Sequence, residues 1–118
     1  MMNDKTKAKL LAILRDHQGR ENPITARRIA QLIGVDDTEG RPVTRSLIRK
    51  MIEREGWPVA ANGRGYYWIK TRKELLEYYE SLTGRIEGIK HRQRMVVGNY
   101  FEIEQREQEE RRKVAYAH

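Results

Sequence analysis

The sequence contains no cysteine, one phenylalanine and three prolines. Without cysteine the chain has no disulfide framework, no thiolate zinc site and no cysteine nucleophile. Every apolar run is shorter than the roughly 18 residues that a bilayer-spanning helix needs. The first residues are polar and lysine-rich, which is not the pattern of a secretory signal peptide. We therefore expect a cytoplasmic protein, of a prokaryote or of a virus in its host cell, with no membrane partner.

Motifs for catalysis, metals and cofactors are also missing. His17, His91 and His118 are scattered, and no two of them have the spacing of metal ligands. The acidic stretch DDTEG at 36–40 is too short for a calcium loop and lacks its later glutamate. There is no glycine-rich phosphate loop, nucleophile elbow or HExxH motif. The sequence therefore predicts no enzymatic activity, no metal and no cofactor.

What the 118 residues do contain is positive charge, with a formal net charge of +7. Residues 1–70 hold 14 lysines and arginines against 8 acidic residues, whereas residues 71–118 hold 10 against 9. Such an excess fits a polyanionic partner, and it also fits a soluble basic protein without one. If there is a polyanion-binding site, the distribution places it in the first 70 residues.

Two short helices are predicted near the amino terminus. The first covers DKTKAKLLAILRDHQG, with Asp4 as its N-cap and Gly19 at its end. The second covers ITARRIAQLIG, with Thr25 as its N-cap and Gly34 in the left-handed conformation that ends a helix.

A third predicted helix, VTRSLIRKMIEREG, has Thr44 as its N-cap and ends at Gly56. Its apolar side is expected to be buried and consists of Leu47, Ile48, Met51 and Ile52. The opposite side carries Arg45, Ser46, Arg49 and Lys50. This basic side is either an ordinary solvated face or a surface for the DNA major groove, where arginine bonds to guanine edges.

The stretch WPVAANGRGYYWIK at 57–70 predicts a β-hairpin. Asn62-Gly63 suits the left-handed positions of a tight turn, and pairing Ala61 with Tyr66 puts Val59 opposite Trp68. One hairpin face has to seal the helical core, so we expect most of the aromatic residues to be structural. The alternative is that Tyr66, Tyr67 and Trp68 form a stacking platform for single-stranded nucleic acid.

The remaining sequence predicts a long helix over 71–105 and a charged tail, 106–118, that frays or is solvated helix. Gly84, Gly88 and Gly98 weaken this helix and are expected to mark a bend. A heptad pattern of alternating four- and three-residue steps runs through it. The pattern comprises Leu75, Tyr79, Leu82, Ile86, Ile89, Gln93, Val96, Tyr100 and Ile103.

The start of this pattern, with Leu75, Leu76, Tyr79 and Leu82, is expected to cover the core of the first 70 residues. From Leu82 onward we predict a homodimer interface formed by Leu82, Ile86, Ile89, Val96, Tyr100, Phe101 and Ile103. A parallel zipper would set Arg85 near Lys90 of the second chain, which is repulsive, so an antiparallel or splayed dimer is predicted.

Roughly residues 7–70 resemble the winged helix-turn-helix domains of biotin repressors. The resemblance depends on the order of the elements and on the segments IAQLIGV, TRSLIRKMIEREG and GRGYYW. The resemblance implies that the third helix enters the major groove and that the hairpin is a wing on the backbone or minor groove. The resulting predicted DNA-binding set is Thr25, Arg27, Arg28, Thr44, Arg45, Ser46, Arg49, Lys50, Asn62 and Arg64. The segment between Gly34 and Thr44 departs from the family, because it is longer than the usual tight turn and contains three acidic residues.

The sequence thus predicts a mainly α protein with a small β-hairpin, namely a winged helix-turn-helix in residues 1–70 followed by a long carboxy-terminal helix. The predicted function is sequence-specific binding of double-stranded DNA by a homodimer, as a small transcriptional regulator. The alternatives are a protein-interaction or assembly module, and an accessory DNA-binding protein in the replication or maintenance of a virus or plasmid.

Overall fold

The computed structural model describes residues 3–117, so His118 lies outside the described residues. The elements in chain order are α1 (Asp4–Asp16), α2 (Ala26–Ile33), α3 (Pro42–Glu55), β1 (Val59–Asn62), β2 (Gly65–Trp68) and α4 (Arg72–Ala117). This order confirms a mostly helical chain with one antiparallel hairpin and a long carboxy-terminal helix. The chain divides into two units, Met1–Tyr78 and Tyr79–His118.

A single hydrophobic core lies in the first unit, where α1, α2, α3 and the hairpin meet. Its buried members are Leu10, Leu14, Ile24, Ile29, Ile33, Ile48, Met51, Trp57 and Val59. Of the four α3 residues predicted to be buried, Ile48 and Met51 are buried, Leu47 is half-buried and Ile52 is 39% exposed. The prediction for Ile52 is wrong because the inner side of α3 follows Thr44, Ile48 and Met51, at positions i, i+4 and i+7.

Helix α1 begins one residue earlier than predicted. The side chain of Asn3 accepts a hydrogen bond from the Thr6 amide at 2.8 Å, so Asn3, and not Asp4, is the N-cap. Asp4 occupies the first helical position, where a carboxylate is favourable because it opposes the positive end of the helix dipole. The helix ends at Asp16, before Gly19.

The predicted ends of α2 and the end of α3 are confirmed. The hydroxyl of Thr25 accepts a hydrogen bond from the Arg28 amide at 3.1 Å. Gly34 and Gly56 follow α2 and α3 with φ of 75° and 71°, a region in which glycine meets no steric penalty.

The hairpin has the predicted register, in which Val59 pairs with Trp68 and Ala61 pairs with Tyr66. The prediction for its turn is wrong, because the residue with positive φ is Gly65, at 137°, and neither Asn62 nor Gly63. The side chain of Asn62 instead accepts a hydrogen bond from the Arg64 amide at 2.8 Å, which closes an Asx turn.

The second edge of β2 is covered by the segment between α1 and α2. Ile24 and Tyr66 exchange two backbone hydrogen bonds, at 2.8 and 2.7 Å. Farther along β2, Trp68 accepts from the Gly19 amide at 2.9 Å and donates to the His17 carbonyl at 2.8 Å. These bonds hold the hairpin against the helices and place its tip beside the start of α2.

The first unit extends past the predicted boundary at residue 70 because the first turn of α4 is bonded to the α1–α2 segment. The Glu74 carboxylate accepts from the amides of Arg20 and Lys70, at 3.0 and 2.9 Å. These bonds keep the pKa of Glu74 below its usual value. Arg20 also forms an ion pair with Glu77.

One prediction for α4 is wrong. Leu75, Leu76 and Tyr79 do not cover the core; they are 48%, 56% and 67% exposed, because the hairpin and the α1–α2 segment already close it. The helix continues through its three glycines to Ala117, so the charged tail is helical up to that residue, which is one of the two alternatives given for it, and its side chains at 106–116 are exposed. No helix within residues 3–117 is long and apolar enough to cross a membrane.

Candidate nucleic-acid interface

Helix α3, which carries half of the predicted site, is anchored at its start by Asp37. The Asp37 carboxylate accepts from the amide and the hydroxyl of Thr44, both at 2.8 Å, and from the Val43 amide at 3.3 Å. The helix therefore begins at Pro42, a residue favoured in the first turn, and the prediction that Thr44 is its N-cap is wrong. Thr44 is fully buried, so it has no surface with which to contact DNA.

The loop before α3 is folded around the same carboxylate. Arg41, at φ 54°, donates from its guanidinium to the carbonyls of Asp37 and Thr38, at 3.0 and 3.1 Å. Partial burial raises the pKa of Asp37, but the hydrogen bonds from Thr44, Val43 and Thr38 outweigh it and keep the pKa below its usual value. Asp37 is therefore a carboxylate that remains charged and faces α3.

Arg45 connects α3 to both the loop and the hairpin. Its Nε donates to the Gly40 carbonyl at 2.7 Å, and its Nη1 donates to the Tyr66 hydroxyl at 3.3 Å. The guanidinium carbon lies 6.0 Å from the centre of the Tyr66 ring. These contacts fix the direction of the Arg45 side chain and the position of the hairpin beside α3.

A groove of about 150 Å³ lies where the start of α2, the first turn of α3 and the hairpin tip meet. It brings together four of the ten predicted DNA-binding residues: Thr25, Arg45, Asn62 and Arg64. Backbone amides at the start of a helix and arginine side chains are both groups that bind phosphate. The groove is therefore suited to an anionic backbone.

Ser46 and Lys50 border a different groove. This groove has a volume of about 540 Å³ and lies between the start of α3 and the start of α1, where Asn3 and Thr6 line it. Lys50 is exposed and Ser46 is half-buried. The basic side of α3 is thus divided, with Arg45 toward the hairpin and Lys50 toward α1.

The remaining predicted residues are exposed. Arg27 and Arg28 lie in the first turn of α2, and Arg49 lies on α3 between Arg45 and Glu53 along the helix. Five of the predicted residues form no ion pair in the described part of the chain, namely Arg27, Arg28, Arg49, Lys50 and Arg64. Arginines without carboxylate partners remain available to an external anion.

Sequence reasoning missed Asp37 and Tyr66 as residues that shape this surface. Asp37 lies seven residues before Thr44, which is not the spacing of a capping box. Tyr66 lies 21 residues after Arg45, so only the folded chain brings them together. The length of the 34–44 segment was the one signal that an additional contact stabilises the start of α3.

The residues of the predicted dimer interface lie along α4. Leu82 is half-buried, whereas Ile86, Ile89, Val96, Tyr100, Phe101 and Ile103 are between 52% and 62% exposed. We call the heptad residues from Tyr79 to Ile103 the α4 seam.

Comparison of the chain with protein-family models, curated proteins and solved structures gave no match. Within residues 3–117 there is also no group of three or more histidine, cysteine or acidic side chains that could hold a metal ion.

Proposed function

We propose that residues 3–78 form a winged helix-turn-helix that binds double-stranded DNA with sequence preference. Helix α3 enters the major groove, and the hairpin is a wing on the neighbouring backbone or minor groove. The observation that carries this proposal is the groove that joins Thr25 on α2, Arg45 on α3 and Arg64 at the hairpin tip. The surplus of six positive charges in residues 1–70 supports a polyanion as partner.

We assign the reading of bases mainly to Arg49. It is exposed on α3, has no ion-pair partner within residues 3–117, and can donate two hydrogen bonds to a guanine edge. Arg45 has a different role, because two of its five donors are already used by Gly40 and Tyr66. It fixes α3 against the wing and keeps its other donors for a nearby phosphate.

Phosphate contacts are assigned to Arg27, Arg28, Lys50 and Arg64. They surround α3 from the start of α2, from the side of α1 and from the hairpin tip, which suits contacts that set orientation and carry no sequence information. With the phosphate contact of Arg45 these make five, and five contacts at a slope of about −0.9 each predict a slope near −4.5 for log affinity against log salt, per bound chain.

Acidic residues restrict the part of α3 that can approach DNA. Asp37 is bonded to the helix itself, but Glu53 lies exposed one turn after Arg49. A carboxylate facing phosphates is repulsive, so the carboxy-terminal half of α3 is kept from the groove. The amino-terminal half, from Arg45 to Lys50, is the part that enters.

The second partner in this proposal is another copy of the chain, because the α4 seam leaves a long row of apolar side chains exposed. A dimer carries two DNA-binding units and selects paired half-sites. The use we propose for such binding is regulation of transcription. A protein-interaction module is the second candidate, and the same exposed seam favours it.

Selection from a random duplex library tests the proposal, with single-stranded DNA and RNA of the same composition as competitors. We expect enrichment of one duplex motif with two related half-sites, and affinity that falls with salt as stated above. Absence of any enriched motif, or equal retention on single-stranded competitors, contradicts it. Self-association without DNA enrichment identifies the interaction module instead.

A further inference from the structure

The α4 seam needs a partner that supplies packing. Its side chains Ile86, Ile89, Val96, Tyr100 and Ile103 are all more than half exposed. Soluble monomers rarely expose an apolar surface of this extent, and most helical stability in proteins comes from packing of such a face. The glycines at 84, 88 and 98 add a cost of about 1 kcal/mol each to a helix without a partner.

Two segments of α4, one within the seam and one at its carboxy-terminal end, carry charges of opposite sign. Residues 85–94 carry four lysines and arginines and one glutamate, a net charge of +3 with His91 neutral. Residues 102–110 carry five glutamates and one arginine, a net charge of −4. The segment between these two blocks, 95–101, has no charged residue. We call the two blocks the basic block and the acidic block.

This charge pattern distinguishes the two orientations of a second copy. In a parallel pair in register, the basic block lies on the basic block of the other chain and the acidic block on its acidic block. Arg85 then also approaches Lys90 of the second copy, which is the g–e′ contact of a parallel coiled coil. In an antiparallel pair, each basic block can move toward the acidic block of the other chain, so repulsion is replaced by attraction.

We propose that α4 pairs antiparallel with α4 of a second copy, with the two-fold axis between residues 94 and 98. An axis at residue 91, the middle of the seam, would set most of each basic block against the other basic block, whereas an axis at residue 98, the middle between the two charged blocks, sets each basic block against an acidic block. Each a-to-d′ layering within the proposed range keeps Val96 opposite a seam residue of the other chain, namely Gln93 or Tyr100. The inference rests on the proposed dimerisation and is independent of DNA binding.

A consequence of this pairing is the distance between equivalent residues of the two helices. Glu80 of one chain lies about 44 to 54 Å along the axis from Glu80 of the other, at 1.5 Å per residue. A parallel pair brings the same two residues side by side. The spacing of Glu80, which is exposed, therefore reports orientation without altering a seam residue.

Disulfide trapping tests the orientation cleanly, since the natural chain has no cysteine. Ile86→Cys is mixed with Ile103→Cys or Glu110→Cys, which read the two possible layerings, and with Val96→Cys as a negative control. We expect a mixed disulfide with Ile103→Cys or with Glu110→Cys, while Ile86→Cys alone and Ile103→Cys alone stay unlinked. Self-linking of both single variants identifies a parallel pair and overturns the proposal.

Two further measurements test the dimer and its orientation without substituting a seam residue. Sedimentation equilibrium of the natural chain is expected to give a dimer that weakens as salt rises to about 1 M, where the Debye length is about 3 Å. A monomer overturns the dimerisation itself, and a dimer that strengthens with salt overturns only its orientation. Spin labels on Glu80→Cys are expected at the long distance given above; a short distance contradicts the antiparallel pair.

Discussion

Asp37 and Thr44 are joined by two hydrogen bonds, because one carboxylate accepts from both the backbone amide and the hydroxyl of Thr44 at 2.8 Å. The first-turn amides of a helix have no intrahelical partner, and here a side chain seven residues away satisfies two of them. The long acidic loop is thus a structural part of α3.

Removal of this carboxylate is expected to destabilise the first unit. Asp37→Ala leaves the amides of Val43 and Thr44 unpaired and orphans the buried Thr44 hydroxyl, so the urea midpoint falls. The measurement is urea unfolding followed by tryptophan fluorescence. Asp36→Ala is the matched control, because Asp36 is exposed, and its midpoint is expected to stay within error of the natural protein. Equal effects at the two positions contradict the capping role of Asp37.

The stability of the first unit against urea is expected to fall in acid because the carboxyls of Asp37 and Glu74 become protonated. The pKa values of both carboxyls are lowered in the folded state, from ordinary values of 3.8 and 4.5. A group with a lowered pKa stabilises the fold fully above its unfolded pKa, and this contribution is lost as pH falls through the folded pKa. The urea midpoint should therefore be level above about pH 5.5 and decline below about pH 4.5.

The double variant Asp37→Asn, Glu74→Gln is expected to be less stable at pH 7 and to show a shallower decline. Urea titrations at intervals between neutral and acid pH measure both. If the decline has the same steepness in the double variant, other carboxyls cause the acid sensitivity.

Gly65→Ala is expected to disrupt the hairpin. A side chain at this position would collide with the Ile24 carbonyl, and the φ of 137° is itself unfavourable for alanine. Backbone strain of this kind costs about 1–3 kcal/mol, in addition to the collision. The melting temperature should fall by more than about 5 °C. Gly63→Ala is the control, since nothing lies within 4 Å of its added carbon, and it should melt near the natural protein.

Arginine substitutions separate sequence reading from general attraction to DNA. Arg49→Ala is expected to weaken binding to the selected site by about 10- to 100-fold, and to narrow the gap between that site and random duplex. Arg64→Ala should weaken both alike and reduce the salt slope by about 1. Fluorescence anisotropy on the two duplexes measures this, with Lys9→Ala as an exposed basic control on α1.

The outcome for Arg45→Ala differs, because this side chain bonds the Gly40 carbonyl and the Tyr66 hydroxyl. The substitution is expected to lower the affinity for DNA and also to shift the amide signals of the hairpin in an NMR spectrum.

The Arg49 prediction has its own contradicting outcome. Unchanged affinity of Arg49→Ala on both duplexes refutes the assignment of α3 to the major groove.

Local chemistry made much of the first unit predictable. Apolar periodicity located α1 and α2, and Gly34 and Gly56 marked helix ends since they adopt positive φ. Alternation around Asn62-Gly63 gave the correct strand register, although the turn itself differs. These features depend on residues a few positions apart, which is the range over which sequence patterns are informative.

Features that depend on distant residues were not predicted. The start of α3 depends on Asp37 across the loop, and the exposure of Leu75 and Leu76 depends on how completely the hairpin closes the core. For the candidate site, the sequence identified the exposed basic residues, and the fold brings four members of that set to one groove. That this surface binds DNA stays a prediction.

The hairpin turn combines an anchored residue with a free one. Gly65 is held against Ile24 with no room for a side chain, whereas the space around Gly63 two residues earlier is empty. Insertions at 63–64 can therefore lengthen or recharge the tip while the base of the hairpin stays in place. This turn is an evolvable position, where the chain can acquire new binding preferences without rebuilding its core.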